Sequence, residues 1–258
     1  MFLEITITMK KHYLPIAVAA LAFSSFSALA EMNQWSLGVA AAYSPAVYKD
    51  TPSNRVIIPL IGYEGEHLFL RGFTAGYRLL PMRSSQNVVF RLNYDPRTLK
   101  PSDSDDAQIQ LLDKRSSTIL GGVSYQLRTP IGLWETSVGT DIGDTHNGLY
   151  AETALRFPLR FGSWGVTPSI GYSYNSEKLN NHLYGVSSEE SARSGLPEFE
   201  ADWDGQYFVG VSAYWNVIDT VRVVGNVRYI NLEGDIASSP IIESGINTSV
   251  SYGVAYLF

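Results

Sequence analysis

Hydrophobic and polar residues alternate with a period of two along most of this chain, and the C-terminal segment shows the pattern most clearly. One face of that segment carries large apolar side chains, those of Val250, Tyr252, Val254, Tyr256 and Phe258. The other face carries small or uncharged residues, namely Ser249, Ser251, Gly253, Ala255 and Leu257. Because successive side chains of a β-strand point to opposite faces, this alternation predicts a strand. Comparable segments lie near residues 35–43, 87–94, 119–127, 134–142, 149–157, 166–174, 207–215 and 221–229.

Charged residues are confined to one face of these segments. A charge that faces lipid at the middle of a bilayer costs about 2–4 kcal/mol, so contact with lipid would enforce this exclusion. Aromatic residues near the predicted strand ends, such as Trp35, Trp134 and Trp215, suit the girdles at the two membrane interfaces. The sequence therefore predicts an all-β fold, a transmembrane antiparallel β-barrel of the outer membrane. A soluble sandwich or a lipocalin-like barrel is the alternative.

The lengths of the links predict the orientation of the barrel. Short links near residues 128–130, 160–162 and 216–219 alternate with long polar ones at 95–117, 175–205 and 231–246. Short periplasmic turns and long extracellular loops are the usual asymmetry of such barrels.

The number of strands is ambiguous between residues 55 and 80. Eleven segments are recognisable in the chain, but an even number is needed if both ends lie in the periplasm. The apolar phase switches at Gly72, which indicates a bulge or two separate short strands. We expect twelve strands, with ten as the alternative.

The first thirty residues have the organisation of a secretory signal peptide. A basic start at Met9-Lys10-Lys11 precedes an apolar run over residues 13–26 and the A-x-A pattern Ala28-Leu29-Ala30. We predict translation from Met9 and cleavage after Ala30, so that residues 31–258 form the barrel. A membrane-anchor helix over the apolar run is the alternative. After Ala30, the sequence has no run of 18 apolar residues that would predict a transmembrane helix.

The amino-acid composition limits the partners and the kinds of site that we expect. Charged residues make up 17% of the chain and the net charge is −6, which disfavours a nucleic-acid partner. With no cysteine, the chain has no disulfide, thiolate metal site or thiol nucleophile. It contains neither a G-x-S-x-G nor an H-E-x-x-H motif, and Asp144-Thr145-His146 is typical of a surface turn. We expect a non-enzyme without catalytic residues, metal or cofactor, with an outer-membrane hydrolase as a remote alternative.

The charges of the opposite face are predicted to line the lumen. If the hairpin near residue 145 centres on Thr145-His146, Glu135 lies opposite Arg156 and Asp141 opposite Tyr150. A closed core filled by ion pairs is the favoured interpretation, and a selective arginine-rich pore is the alternative. The predicted lumen charges are Arg78, Arg91, Arg128, Glu135, Asp141, Glu152, Arg156, Arg222 and Arg228.

Two further surfaces suggest partners. The apolar face of the last strand, from Val250 to Phe258, is the expected signal for the barrel-assembly machinery. Acidic residues cluster in the long loops, for example at Asp103, Asp105 and Glu190, where they could recruit divalent cations that bridge lipopolysaccharide. More often such residues are a solvated loop. Outer-membrane lipid and lipopolysaccharide are the expected surroundings.

Four stretches of this chain resemble the MipA/OmpV family of outer-membrane proteins, and its YiaT-like branch in particular. They are residues 58–65 (IPLIGYEG), 111–118 (LLDKRSST), 183–196 (LYGVSSEESARSGL) and 238–242 (SSPII). The resemblance extends in order and spacing over essentially the whole chain after Ala30. It implies an outer-membrane β-barrel without known catalytic residues.

The family's name-giving member, the MltA-interacting protein, links a lytic transglycosylase to a peptidoglycan synthase. The resemblance therefore implies a scaffold or docking protein for peptidoglycan-remodelling enzymes, with those two enzymes as possible partners. A narrow channel for small solutes or ions is the alternative function.

Overall fold

A computed structural model describes residues 34–232 and 234–258 of the chain. The predicted signal peptide and its cleavage point after Ala30 lie outside the described residues. Strands dominate the described part, as the period-two alternation predicts. They are β1 (Gln34–Ser44), β2 (Asn54–Glu64), β3 (Leu68–Arg71), β4 (Thr74–Arg78), β5 (Gln86–Asp95), β6 (Thr118–Thr129), β7 (Gly132–Asp141), β8 (Leu149–Arg156), β9 (Leu159–Phe161), β10 (Trp164–Asn175), β11 (Asp204–Ile218), β12 (Val221–Leu232) and β13 (Ile246–Leu257).

These strands form one closed antiparallel barrel. Apart from β8 and β9, each strand pairs with its neighbour in sequence, and β1 closes the sheet against β13 with Val39 opposite Val254. β8 and β9 both pair with β10 and are two parts of one wall strand, interrupted at residues 157–158. Pro158 lacks an N–H group, which suits it to such a break. The barrel therefore has twelve wall strands, as expected, and the alternative of ten is wrong.

The phase switch at Gly72 marks a tight hairpin. Gly72 has a φ of 57°, in the left-handed region that glycine adopts at little cost, and it joins the short strands β3 and β4. Of the two interpretations of this segment, two short strands is therefore correct.

The outer surface of the barrel is apolar. Tyr252 and Phe258 of the C-terminal segment are 67% and 69% exposed, whereas Ser251 and Ala255 on the other face are buried. The faces thus follow the alternation of the sequence, with small residues inside and large ones towards lipid. Among the described residues, no helix combines the length and the apolar character needed to cross a bilayer.

The two ends of the barrel differ. Short links, such as residues 130–131, 162–163 and 219–220, join the strands at what we call the turn end. The long loops at the other end contain the helices α1 (Glu177–Tyr184) and α2 (Ser188–Ser194) and three short 3-10 helices at Pro101–Asp103, Ile109–Leu111 and Gly234–Ser238. We call this folded loop assembly the lid. It is the extracellular end if the short links are periplasmic.

The register of the β7–β8 hairpin differs from the expected one. Arg156 lies opposite Leu133, Glu135 opposite Ala154, and Tyr150 opposite Gly139, so the predicted opposite pairs are wrong. The turn centres one residue earlier than assumed, because the Asp141 carboxylate accepts N–H bonds of 2.6 to 3.0 Å from residues 143, 145, 146 and 147. That shift displaces each opposite pair by two residues and leaves the faces unchanged.

Candidate functional site

The lumen contains a continuous network of ion pairs. Glu135 of β7 contacts Arg91 of β5, and its other oxygen lies 2.7 Å from Nη1 of Arg156. Arg156 reaches Glu152 at 3.5 Å, and Glu152 accepts from Arg228 of β12 at 3.2 Å. The side chains of all five are less than one-fifth exposed. Five of the sequence-predicted lumen charges are therefore brought together, and Glu135 meets Arg156 diagonally rather than opposite it.

A second group of charges lies at the β2–β3–β4 corner. Glu64, which is 5% exposed, accepts two bonds from Arg71, at 2.8 and 3.0 Å, and also contacts Arg78. Of these three residues, only Arg78 was among the predicted lumen charges. The phase switch at Gly72 obscured the faces of β2 and β3, so Glu64 and Arg71 gave no usable alternation signal.

The three remaining predicted charges lie apart from both groups. Arg222 is buried, donates to the Asn216 side chain at 2.7 Å and lies over the Tyr214 ring. Arg128 is exposed near the turn end and donates to the Met82 carbonyl at 3.0 Å. Asp141 caps the 142–148 turn at the lid end rather than joining the lumen network.

The lumen carries an excess of positive charge. Arg71 and Arg78 share Glu64, Arg91 and Arg156 share Glu135, and Arg228 shares Glu152 with Arg156. Five guanidinium groups thus face three carboxylates. All five line a cavity of about 300 Å³, to which Arg128 adds a further positive charge. Such a cavity is electrostatically suited to an anion.

The lid covers this cavity and has its own hydrophobic core. Its loops bury apolar side chains from widely separated parts of the chain, many of them less than 3% exposed. They are Tyr48, Leu99, Ile109, Leu112, Leu179, Leu183, Tyr184, Val186, Leu196, Leu232, Ile236, Ile241 and Ile242. Three of the four stretches that carry the family resemblance, 111–118, 183–196 and 238–242, lie in the lid. The long loops are thus a packed structure rather than solvated coil.

Glu190 connects the parts of the lid. It forms a capping box with Ser187 at the start of α2 and accepts the Asp113 N–H at 2.8 Å. Its carboxylate also pairs with buried Arg115 at 2.8 Å. These bonds hold the pKa of Glu190 below its usual value, against the opposing effect of burial. The interpretation of the acidic cluster as a solvated loop is therefore wrong for Glu190, which is 2% exposed.

The three histidines in the described part of the chain bond to backbone atoms. His146 Nδ1 accepts the Gly148 N–H at 2.9 Å, His182 Nε2 lies 3.0 Å from the Ser116 carbonyl, and His67 Nδ1 lies 2.8 Å from the Arg78 carbonyl. Such bonds fit structural histidines in turns. Within residues 34–232 and 234–258, no group of three or more His, Asp or Glu side chains is arranged to hold a metal ion.

We expect the lid to loosen in mild acid. The rings of His146 and His182 lie 5.2 Å apart, and burial lowers the pKa of each from its usual 6.5. The unfolded turn then binds protons more readily than the folded one, so stability is present above about pH 6.5 and is lost as the pH falls below it. Amide hydrogen exchange in the 142–148 turn, corrected for its intrinsic pH dependence, should accelerate between about pH 6.5 and 5. A His182→Gln variant should respond less, and equal acceleration in both proteins would contradict the assignment.

Comparison with known proteins places the chain among outer-membrane proteins. The family model described as MltA-interacting protein MipA matches residues 37–258. The MltA-interacting protein of Escherichia coli (strain K12) is 31% identical over 243 residues, which cover 94% of this chain and 98% of the relative. The putative outer membrane protein YiaT of the same strain is 30% identical over 241 residues, covering 93% and 98%. OmpV of Vibrio cholerae is 26% identical over 227 residues, covering 88% and 87%.

Among solved structures, an outer membrane channel from Pseudomonas putida F1 is similar, with a TM-score of 0.45 and 9% identity. The match covers 89% of this chain and 97% of the channel.

Proposed function

This chain belongs to the MltA-interacting protein family of the outer membrane, and on that premise we propose that it is a non-enzymatic docking protein for peptidoglycan-remodelling enzymes. The observation that carries the proposal is its similarity, over 94% of its length, to a relative named for its interaction with MltA. A lytic transglycosylase and a peptidoglycan synthase are the partners we propose, by analogy with that family.

The turn end is the surface available for such docking. It would face the periplasm, where peptidoglycan lies, whereas the lid would face outward. Its longest link, residues 79–85, exposes Leu79 and Leu80 at 50% and 43%, together with Arg83. A standard interface buries about 800 Å² per partner, so several of the short links must contribute together. Arg160 of β9 is also exposed at this end and adds a second positive charge.

A site-specific crosslink tests the proposal. A photo-crosslinking amino acid at Arg83 in the full chain should capture a lytic transglycosylase or a peptidoglycan synthase from intact envelopes. The matched control is the same amino acid at Lys114, which is exposed at the lid end. Capture of neither enzyme at position 83, or equal capture at both positions, would refute docking at the turn end.

A narrow channel for small solutes or ions is the second candidate. The arginine-lined cavity favours it, whereas the ion pairs and the lid favour a closed interior. Stable anion-selective conductance in planar bilayers by the purified chain would support the channel and reject the closed interior.

Two other expected partners are retained as proposals. The outward face of β13, with Val250, Val254 and Tyr256 exposed, is available as the signal for the barrel-assembly machinery. The exposed acidic residues of the lid, such as Glu189 and Asp202, lie on the surface proposed to neighbour lipopolysaccharide.

A further inference from the structure

The barrel wall has an incomplete seam between β2 and the β3–β4 hairpin. β3 pairs with β2 only through residues 62–64, and one further bond of 2.9 Å joins the Gly72 N–H to the Ile61 carbonyl. Within the described chain, residues 54–60 of β2 therefore have β1 as their sole strand neighbour. At about 3.3 Å per residue, this unpaired edge is roughly 20 Å long. We call the gap between this edge, the hairpin tip at residues 72–73 and the end of β5 the window.

The sequence of β2 suits an edge that has no strand partner. The Ile61 carbonyl points at the hairpin, and backbone groups two residues away in a strand point the same way. The N–H that Pro59 lacks therefore falls on the unpaired side, where no strand bond is lost. Ile57, also on this strand, is 78% exposed. The edge thus presents apolar side chains to the surrounding lipid and lacks one pairing donor at Pro59.

The window leads into the lumen cavity. The residues of its frame that line the cavity are Asn54 of β2, Thr74 of β4, and Asn93, Tyr94 and Asp95 of β5. Thr74 and Asn93 are joined by a side-chain hydrogen bond of 2.8 Å across β4 and β5. The cavity therefore reaches the barrel wall at the place where strand pairing is missing.

An apolar cluster borders the window on its inner side, and the cavity beside it is basic. The inward side chains of β2, those of Val56, Ile58 and Leu60, are buried and pack with Phe73 at the hairpin tip. Arg71, the residue before Gly72, lines the cavity immediately inside. A molecule at the window would thus contact exposed apolar side chains of the β2 edge, such as Ile57, before it reached the guanidinium groups of the cavity.

Some arginine N–H groups of the lumen have no hydrogen-bond partner in the described structure. Five guanidinium groups share three carboxylates, and the Nε atoms of Arg91 and Arg228 are buried without a hydrogen-bond partner in the described structure. Excess charge in an enclosed site is stabilised by a counter-charge. The lid closes the route to the lumen from above with a hydrophobic core, whereas the window remains at the side.

We infer that the lumen binds the anionic headgroup of a long-chain amphiphile from the outer membrane, whose hydrocarbon chain lies through the window along β2. The guanidinium groups supply charge-assisted bonds to a carboxylate or phosphate. The lipid-facing edge of β2 accepts the chain. This site is independent of the proposed docking at the turn end.

Fluorescent chain probes test the inference on the full chain in detergent. cis-Parinaric acid should bind saturably, and its methyl ester about tenfold more weakly, because the ester lacks the charge that the arginines recognise. Inorganic phosphate and acetate should compete only weakly, because they lack the chain. Equal affinity for acid and ester would overturn the role of the arginines, and competition by free anions as strong as that of the acid would overturn the role of the window.

Two variants with matched controls locate the site. Arg71→Gln should weaken binding of the acid about tenfold, since it removes a guanidinium near the window while Glu64 keeps its bond to Arg78. Arg160→Gln, at an exposed arginine of β9 that does not line the cavity, should not change binding. Thr74→Trp should obstruct the window and weaken binding, whereas Thr136→Trp on the exposed face of β7 should not.

All four variants are first checked for retained heat-modifiable migration, which reports the folded barrel. Unchanged binding in both Arg71→Gln and Thr74→Trp would refute the site even if the turn end captured its enzymes. Loss in these two variants, with both controls intact, would support it whatever the crosslinking experiment gave.

Discussion

Replacing Glu135 by glutamine is expected to lower the free energy of unfolding of the barrel by about 3–5 kcal/mol, because it leaves two partly buried guanidinium groups without their shared counter-charge. Glu135 is 6% exposed and contacts both Arg91 and Arg156. It also accepts a bond of 3.1 Å from the Gln126 side chain. The measurement is the urea concentration at which half of the protein loses its heat-modifiable migration. This midpoint is compared with that of the unaltered chain, provided that the two transitions have the same dependence on urea concentration.

The control for this change is Glu66→Gln. Glu66 is exposed in the short link between β2 and β3, where removal of a charge should change stability by no more than about 0.5 kcal/mol. Adding Arg156→Gln to the Glu135 variant should recover part of the loss, because one of the two guanidinium groups that contacted Glu135 is then absent. Additive losses in the double variant would show that the ion pair does not couple the two residues.

Truncation of Leu183 to alanine is expected to destabilise the lid by about 2–5 kcal/mol, the usual cost of a cavity left by a buried leucine. Leu183 is 2% exposed in α1 and belongs to the lid core, and its carbonyl accepts the Tyr48 hydroxyl at 3.1 Å. Because the lid packs largely through its own core, the barrel should keep its heat-modifiable migration. Protease cleavage within residues 176–203 on intact cells is the measurement.

Leu111→Ala is the matched control, since Leu111 lies in the same lid and is 49% exposed. This substitution should change the stability of the lid by no more than about 0.5 kcal/mol. If both variants were cleaved at the same rate as the unaltered lid, the packing of the lid core would not govern its stability. If Leu183→Ala also abolished the heat-modifiable migration of the barrel, the lid and the barrel wall would unfold as one cooperative unit.

The barrel could be predicted from the sequence because lipid constrains one face of every strand. The exclusion of charge from the face of Val250, Val254 and Phe258 is repeated in most strands, so errors in one segment do not spoil the others. Twelve strands followed from that repetition together with the requirement for an even number. The exception, at β3 and β4, arose because strands of 4 and 5 residues are too short to show a period of two.

The lid was not predictable in the same way. Its core is assembled from single turns of helix and isolated apolar residues, such as Ile109, Ile236 and Ile241, whose partners lie in other loops. Only the spacing of Leu179 and Leu183, four residues apart in α1, is a local signal of a buried helix face.

The partners of the lumen charges were also beyond the sequence. Glu135 and Arg156 could be placed on one face, but their diagonal contact depends on a turn whose centre is set by the bonds of Asp141. The charges of Glu64 and Arg71 depend on a hairpin that the alternation could not locate.

The residues that pack in the lid come from distant parts of the chain, so the lid must form late in the assembly of the protein. The first loop meets the last one through bonds between Lys49 and Ile241 at 3.0 Å and between Glu243 and Val47 at 2.9 Å. Such non-local pairs form late, since the loop-closure entropy must be overcome first. The lid can therefore pack completely only after the final strand, β13, has been inserted and has paired with β1. Its resistance to external protease would then report that insertion is complete.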